Sequence, residues 1–82
     1  MDIQVKKAEH INNYKIKLFF SDGKESIIDF EAFLKRAKNP MTKKYLDVAQ
    51  FEKFKITYGD LEWNDYEMCF PIWNLYTNKN IH

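Results

Sequence analysis

The fold of this chain is decided by residues 13–30, which read NYKIKLFFSDGKESIIDF. In the first half every second residue is apolar, at Tyr14, Ile16, Leu18 and Phe20. This alternation is typical of a strand with one buried face. Ser21-Asp22-Gly23 then predicts a turn, because glycine accepts the positive φ that the chain needs there. The run from Glu25 to Asp29 predicts the returning strand of an antiparallel hairpin.

Two registers of this hairpin are open. A two-residue loop pairs Leu18 with Ile27. A three-residue loop with Gly23 in the left-handed conformation pairs Ile16 with Ile28 instead. We prefer the second register, because it keeps the apolar residues of both strands on one face of the sheet.

Two further segments carry strand patterns. Ile3 and Val5 alternate with polar neighbours, which predicts one more strand in the same sheet. A second hairpin is predicted around Gly59-Asp60, because glycine at the first central position fits a type II′ turn. The predicted core-facing pairs are Tyr58 with Leu61 and Ile56 with Trp63, while Thr57 and Glu62 fall on the outer face.

A central helix is predicted to begin at Phe30, with Asp29 as its cap. Its apolar residues follow helical spacing, at Phe30, Phe33, Leu34 and Ala37. Pro40 ends the helix, since the residue before a proline, here Asn39, is forced out of helical geometry.

Two shorter helical segments are predicted downstream. Asp47 has capping spacing for a turn that presents Val48, Phe51 and Phe54. Pro71 suits the first turn of a final helix whose inward face carries Ile72, Leu75 and Tyr76.

These elements predict an α+β domain. We expect an antiparallel sheet built from two hairpin regions, packed on one face by the central helix, with short additional helical segments. Residues 1–76 form a single domain in this interpretation, and residues 77–82 form a frayed polar tail.

The composition is that of a small soluble protein. The chain has 82 residues, 14 of them aromatic, and a formal net charge of +1. The rings compensate for the small core, because each large ring removes about 150–250 Å² from water when it is buried. No apolar run approaches the roughly 20 residues that span a bilayer, and residues 1–7 lack the apolar stretch of a signal peptide. The single cysteine, Cys69, leaves no partner for an intramolecular disulfide and favours a cytoplasmic location.

The sequence contains no recognisable catalytic set. His10, His82 and Cys69 are too few for a metal site, and Cys69 between Met68 and Phe70 is typical of a buried thiol. The acidic residues of the C-terminal third are expected to form a solvated face, at Asp60, Glu62, Asp65 and Glu67. Two isolated glycines do not make a phosphate-binding loop. We therefore predict no enzyme activity, no metal and no cofactor.

The charge distribution is the most informative electrostatic feature. Residues 35–55 hold seven basic and two acidic residues, a net charge of +5, whereas residues 56–82 have a net charge of −3. A candidate basic patch is formed by Lys35, Arg36, Lys38, Lys43 and Lys44. Such a patch suits an acidic partner, which is nucleic acid or another protein, including a second copy of this chain. The single arginine disfavours base recognition, for which arginine is the usual residue.

Three aromatic residues are weighed as core or interface, because tryptophan and tyrosine dominate binding hot spots. Trp63 is predicted to belong to the core. Trp73 and Tyr76 are the candidate interface residues, since Trp73 points toward the flank of a helix that turns its other apolar residues inward.

The order of turn, cap and aromatic motifs in the chain resembles that of a known family, the domain of unknown function 2442. The matching motifs, in chain order, are Phe20-Ser21-Asp22-Gly23, Ile28-Asp29-Phe30, Leu46-Asp47, Phe51, Trp63 and Leu75-Tyr76. Where many members have a proline after the tryptophan, this chain has Asn64. The resemblance implies a compact bacterial α+β domain with no assigned chemistry. It also implies, for some members, a place as the second gene of a toxin–antitoxin-like pair.

The expected function is therefore a non-catalytic protein-interaction module, as the antitoxin-like or regulatory half of a two-gene unit. The alternative is a small nucleic-acid-binding protein that uses a basic patch within residues 35–55. A protein partner is expected first and nucleic acid second. No membrane is expected, and the formation of a homodimer is left open.

Overall fold

The structure is a computed structural model and describes residues 3–77. Two antiparallel three-stranded sheets are present in these residues. The first sheet contains β1 (Val5–Asn12), β2 (Lys15–Phe20) and β3 (Glu25–Asp29), and the second contains β4 (Lys55–Thr57), β5 (Asp60–Trp63) and β6 (Met68–Phe70). The helices are α1 (Glu31–Arg36), α2 (Pro40–Lys43), a 3₁₀ turn (Lys44–Leu46), α3 (Val48–Phe51) and α4 (Ile72–Thr77). The α+β fold class is therefore confirmed.

The first hairpin has the preferred register. Ile16 pairs with Ile28, and both side chains are 0% exposed. The three-residue loop closes with a hydrogen bond of 2.8 Å from Phe20 N to Lys24 O, and Gly23 has a φ of +94°. The pairing of Leu18 with Ile27 is excluded by this geometry.

The predicted N-terminal strand is present and is longer than its pattern suggests. Ile3 and Val5 are buried, and β1 continues to Asn12 beside β2. The register shifts between Val5 and Lys7 and again between His10 and Asn12. These irregularities explain why the alternation fades along β1, because each shift changes the face on which the following side chains lie.

The second hairpin exists, but its predicted register is wrong. Ile56 pairs with Leu61, so the loop is Tyr58-Gly59 rather than Gly59-Asp60. Both loop residues have positive φ, +51° and +84°, which defines a type I′ turn that matches the twist of the flanking strands. Tyr58 is consequently 93% exposed and Ile56 is 36% exposed, whereas Leu61 is buried as predicted.

Contacts distant in sequence select this turn. Gly59 O accepts a hydrogen bond of 3.2 Å from Val5 N, which ties the second hairpin to β1. A Cβ atom at Gly59 would lie only 3.0 Å from Gln4 Cγ. The hairpin therefore packs against the N-terminal segment with glycine at the second loop position.

The single sheet that was predicted is replaced by two sheets with one shared core. The central position of α1 is not confirmed. The helix begins at Glu31, one residue later than predicted, although Asp29 Oδ1 accepts a hydrogen bond of 3.0 Å from Glu31 N, as expected of a capping side chain. Phe30, just before α1, contacts the rings of Phe51, Trp63 and Phe70 with centroid separations of 4.9–6.1 Å.

The predicted end of the first helix at Pro40 is wrong, since α1 ends at Arg36 and Ala37 is already extended with a ψ of 134°. Asn39 is extended as predicted, with a ψ of 123°, but its side chain caps α2, a helix that was not predicted and whose first residue is Pro40. Asp47 Oδ1 accepts a hydrogen bond of 3.0 Å from Ala49 N and caps α3 as predicted. Thr77 ends α4, and the remaining residues of the predicted tail, 78–82, lie outside the described residues. No helix within residues 3–77 has the length and apolar character needed to cross a membrane.

Candidate functional site

One cleft of about 340 Å³ opens where the 3₁₀ turn, the end of α3, β4 and the loop after β5 meet. We call it the lysine cleft, and its polar lining consists of Lys44, Lys53, Lys55, Gln50, Asn64 and Asp65. Tyr45 and Trp63 also line it, but these two side chains are only 2% and 0% exposed. The cleft is therefore polar and positively charged at its rim and aromatic in its depth.

Trp63 holds the two walls of the lysine cleft together. Its Nε1 donates a hydrogen bond of 2.6 Å to the carbonyl oxygen of Phe51, so β5 is tied to the end of α3. Lys53 lies two residues after the end of α3, and Lys55 is the first residue of β4. The two lysines are therefore carried by a segment whose start is anchored to a buried ring.

The three lysines of the cleft differ in their electrostatic partners. Lys44 Nζ lies 2.5 Å from Glu67 Oε1, and the same oxygen accepts a hydrogen bond of 2.6 Å from the Tyr45 hydroxyl. Lys44 and Tyr45 together hold the pKa of Glu67 below its usual range. Lys53 and Lys55 form no ion pair within residues 3–77. Lys53 and Lys55 are therefore not neutralised by an ion pair, and with the exposed carboxylate of Asp65 the lining keeps a net positive charge.

A strained loop forms the opposite side of the cleft. Asn64, Asp65 and Tyr66 have consecutive positive φ values of 48°, 57° and 64°. Asn64 and Asp65 tolerate left-handed geometry, whereas at an ordinary residue such as Tyr66 it costs about 1–2 kcal/mol, and such residues cluster at ligand-binding and active sites. Glu62, which is 2% exposed, accepts a hydrogen bond of 2.7 Å from Tyr66 N and so holds the loop in place.

The predicted basic patch lies entirely on the surface. All five residues are exposed. Lys35 and Arg36 lie on α1, which contacts both α2, the helix of Lys43, and the 3₁₀ turn that contains Lys44. Two of the lysines are neutralised, because Lys35 pairs with Glu31 at 2.7 Å and Lys44 pairs with Glu67. Lys44 is the one member of the patch that lines the lysine cleft.

Lys53 and Lys55 are the cleft residues that the sequence did not single out. They contribute to the positive charge of residues 35–55, but nothing in their spacing predicts that they join Lys44 and Asn64. The charge count of the segment was the available signal, and the tie between Trp63 and Phe51 supplies the missing three-dimensional information.

The expected solvated acidic face is not present. Asp60 Oδ1 accepts a hydrogen bond of 2.9 Å from Ile72 N, and Glu62 is buried. Glu67 is committed to the cleft, so Asp65 is the one exposed carboxylate among the four. Three of the four carboxylates in residues 56–82 are therefore paired or buried within the fold.

The two candidate interface residues have different surroundings. Trp73 is 50% exposed, with its ring edge-to-face on Tyr76 at a centroid separation of 5.8 Å. Tyr76 is partly buried and is held against the first hairpin, because its hydroxyl donates to Asp22 at 2.5 Å and its ring lies 5.1 Å from that of Phe20. Lys24 Nζ lies 4.1 Å from the Tyr76 ring centroid.

His10 and Cys69 have separate surroundings in the described part of the chain. His10 Nε2 lies 2.8 Å from Asn13 O, and Cys69 is partly buried. Burial, reinforced by Asp60 and Glu62, raises the pKa of the Cys69 thiol. Within residues 3–77 no three His, Cys, Asp or Glu residues are grouped so that they could hold a metal ion, and His82 lies outside this range.

The fold explains why widely separated motifs occur together. Phe20 and Asp22 of the first turn contact Tyr76 of α4, and Asp47 caps the helix that presents Phe51 to Trp63. The chain matches no curated protein and no solved structure. Residues 5–80 match the family described as Protein of unknown function (DUF2442), and the chain belongs to that family.

Proposed function

We propose that this chain is a binding module, without a catalytic centre of its own, whose lysine cleft holds an acidic segment of a partner protein. The observation that carries the proposal is the presence of Lys53 and Lys55 without an ion pair in residues 3–77, in a concave site of about 340 Å³. Like charges that share a cleft repel one another, and an acidic ligand turns this cost into attraction.

The uncharged lining supports a polypeptide ligand. Gln50 and Asn64 each carry both a donor and an acceptor, so they can pair with the backbone amides of an extended segment. The positive φ of Tyr66 in this loop supports a binding role as well, because backbone strain at ordinary residues clusters at functional sites.

Nucleic acid is the second candidate, and the basic patch favours it. Lys38 and Lys43 are exposed on the elements that lead to Lys44, so the positive surface extends beyond the cleft. The aromatic lining supports it less well, since Tyr45 and Trp63 are buried and offer no ring on which a base could stack.

The proposal also covers location and biological context. The partly buried single thiol of Cys69 is compatible with the reducing cytoplasm, where we place the chain. A protein encoded beside this chain, in a toxin–antitoxin-like arrangement, is the first partner to test. In that arrangement the chain would be the antitoxin-like or regulatory half.

The test compares a fluorescent octaglutamate peptide with a DNA oligonucleotide of equal charge, by fluorescence anisotropy. The wild-type chain should bind the peptide, and the double variant Lys53→Gln and Lys55→Gln should lose most of that binding. The matched control replaces Lys6 and Lys15 with Gln, because both are exposed and neither lines the cleft.

Three outcomes are informative. Binding of the peptide that only the cleft variant loses supports the proposal. Tighter binding of the oligonucleotide, with a steep loss between low and moderate salt, supports the nucleic-acid alternative. Equal losses in the cleft variant and in the matched control indicate a nonspecific charge effect and contradict a ligand in the cleft.

A further inference from the structure

The lysine cleft contains an internal competitor for a negatively charged ligand. Glu67 Oε1 lies 2.5 Å from Lys44 Nζ and accepts a hydrogen bond of 2.6 Å from the Tyr45 hydroxyl. The Glu67 side chain is 11% exposed, whereas that of Lys44 is 40% exposed. The Glu67 carboxylate is therefore held on Lys44 by the Tyr45 hydroxyl, while Lys44 still lines the lysine cleft.

We infer that Glu67 sets the affinity of the cleft by occupying Lys44, so that an acidic segment is held by Lys53 and Lys55 and gains Lys44 only by displacing Glu67. This inference rests on the proposed function. Its chemical basis is that Glu67 and an acidic ligand present the same group, a carboxylate, to the same ammonium ion. The cleft would therefore select segments with several adjacent negative charges, which can compete where a single charge cannot.

The Tyr45 contact explains why Glu67 is well placed for this role. The Tyr45 hydroxyl is protonated at neutral pH and donates to Glu67, and burial together with the neighbouring Glu67 raises the pKa of Tyr45 further. The hydroxyl holds the carboxylate in one position, which removes the entropy cost that usually weakens a surface ion pair. A free ligand has to overcome this advantage before it reaches Lys44.

The informative variant is Glu67→Gln, because the amide keeps an oxygen for Tyr45 and removes the charge. Octaglutamate should bind this variant roughly two- to fivefold more tightly, since an exposed ion pair contributes about that factor. The salt dependence of binding should also become steeper, because one more cation takes part. Thermal unfolding checks that the variant is folded.

The matched control is Glu31→Gln. Glu31 pairs with Lys35 at 2.7 Å, and neither residue lines the lysine cleft. The change in net charge is the same in both variants. If Glu31→Gln tightens binding as much as Glu67→Gln, the effect is one of overall charge and the inference is overturned.

A second background tests whether Glu67 acts through Lys44. In a chain that carries Lys44→Gln, the gain from Glu67→Gln should shrink, because the released ammonium ion is no longer there. An equal gain with and without Lys44 would mean that Glu67 only repels the ligand at a distance, and it would overturn the inference.

The outcomes separate this inference from the proposed function. If the wild-type chain binds octaglutamate through Lys53 and Lys55 but Glu67→Gln binds no more tightly, the inference is overturned and the proposed function stands. If neither the wild-type chain nor Glu67→Gln binds the peptide, both are overturned.

Discussion

Replacing Trp63 tests the centre of the fold. Its side chain is 0% exposed, and five aromatic rings lie within 6.1 Å of its own, measured between centroids. A large ring buries about 150–250 Å², which at about 25 cal/mol per Å² corresponds to about 4–6 kcal/mol. Alanine keeps a small part of this, so Trp63→Ala should lower the free energy of unfolding by about 3–5 kcal/mol.

The expected loss is large for this chain. A domain of 82 residues has a free energy of unfolding of about 4–12 kcal/mol, so Trp63→Ala should leave it marginally folded. Trp63→Phe separates packing from hydrogen bonding, because it keeps a ring but leaves the Phe51 carbonyl without its indole donor. The Trp63→Phe variant should lower the free energy of unfolding by about 1–3 kcal/mol.

Urea unfolding followed by far-ultraviolet circular dichroism measures these losses. Fluorescence is unsuitable, since the variants remove one of the two tryptophans. Trp73→Ala is the matched control, because Trp73 is 50% exposed and should cost less than about 1 kcal/mol. A loss below about 1 kcal/mol for Trp63→Ala, or a loss equal to that of Trp73→Ala, would refute the assignment of Trp63 to the core.

Three further predictions concern turns and the contact between the first hairpin and α4. Gly23→Val should destabilise the chain through its backbone alone, because Gly23 has a φ of +94° and open space around it; a neutral effect in urea unfolding would contradict this. Gly59→Ala should lower the free energy of unfolding more than Gly23→Ala, since the new Cβ also meets Gln4 Cγ at 3.0 Å. Equal melting temperatures for the two variants would contradict the packing of Gly59 against Gln4. Tyr76→Phe removes the principal hydrogen bond that lowers the pKa of Asp22. A lowered pKa adds stability that is present above the unfolded pKa and is lost as the pH falls through the folded pKa. The difference in the free energy of unfolding between Tyr76→Phe and wild type should therefore narrow in acid. A difference that does not depend on pH would show that Asp22 is not involved.

The first hairpin could be predicted because its local signals agree. The alternation of residues 14–20 and the glycine at position 23 favour the same register, and no distant residue is needed to choose between the alternatives. The predicted cap at Asp47 is local in the same sense, since its side chain bonds a backbone amide two residues ahead; Asn39 caps α2 in the same way, but this cap was not predicted.

The second hairpin could not be predicted because its turn is chosen from a distance. In the sequence, Gly59-Asp60 fits a type II′ turn better than Tyr58-Gly59 fits a type I′ turn, because the latter needs a positive φ at Tyr58. Gln4 and Val5, more than fifty residues away, decide between them through packing and a backbone hydrogen bond. The short strand β6 also went unpredicted, because three residues before Pro71 are too few to show a pattern.

Only part of the lysine cleft could be predicted from the sequence. The positive charge of residues 35–55 indicated a basic surface, and Lys44 belongs to both the patch and the cleft. Three of the four acids that were expected on the surface instead bind amides, a lysine and a tyrosine of this chain. Such pairings depend on tertiary contacts, so charge counts along the sequence overestimate the exposed negative charge.

The most direct test of the central claim is a map of where an acidic segment binds. Backbone amide chemical shifts of the wild-type chain should be followed during titration with octaglutamate at low salt. We expect saturable changes at Lys44, Gln50, Asn64 and the segment 53–55, with little change along α4 or the outer strands. Changes confined to Lys35–Lys38 or α4, or no saturable change anywhere, would contradict a binding site in the lysine cleft.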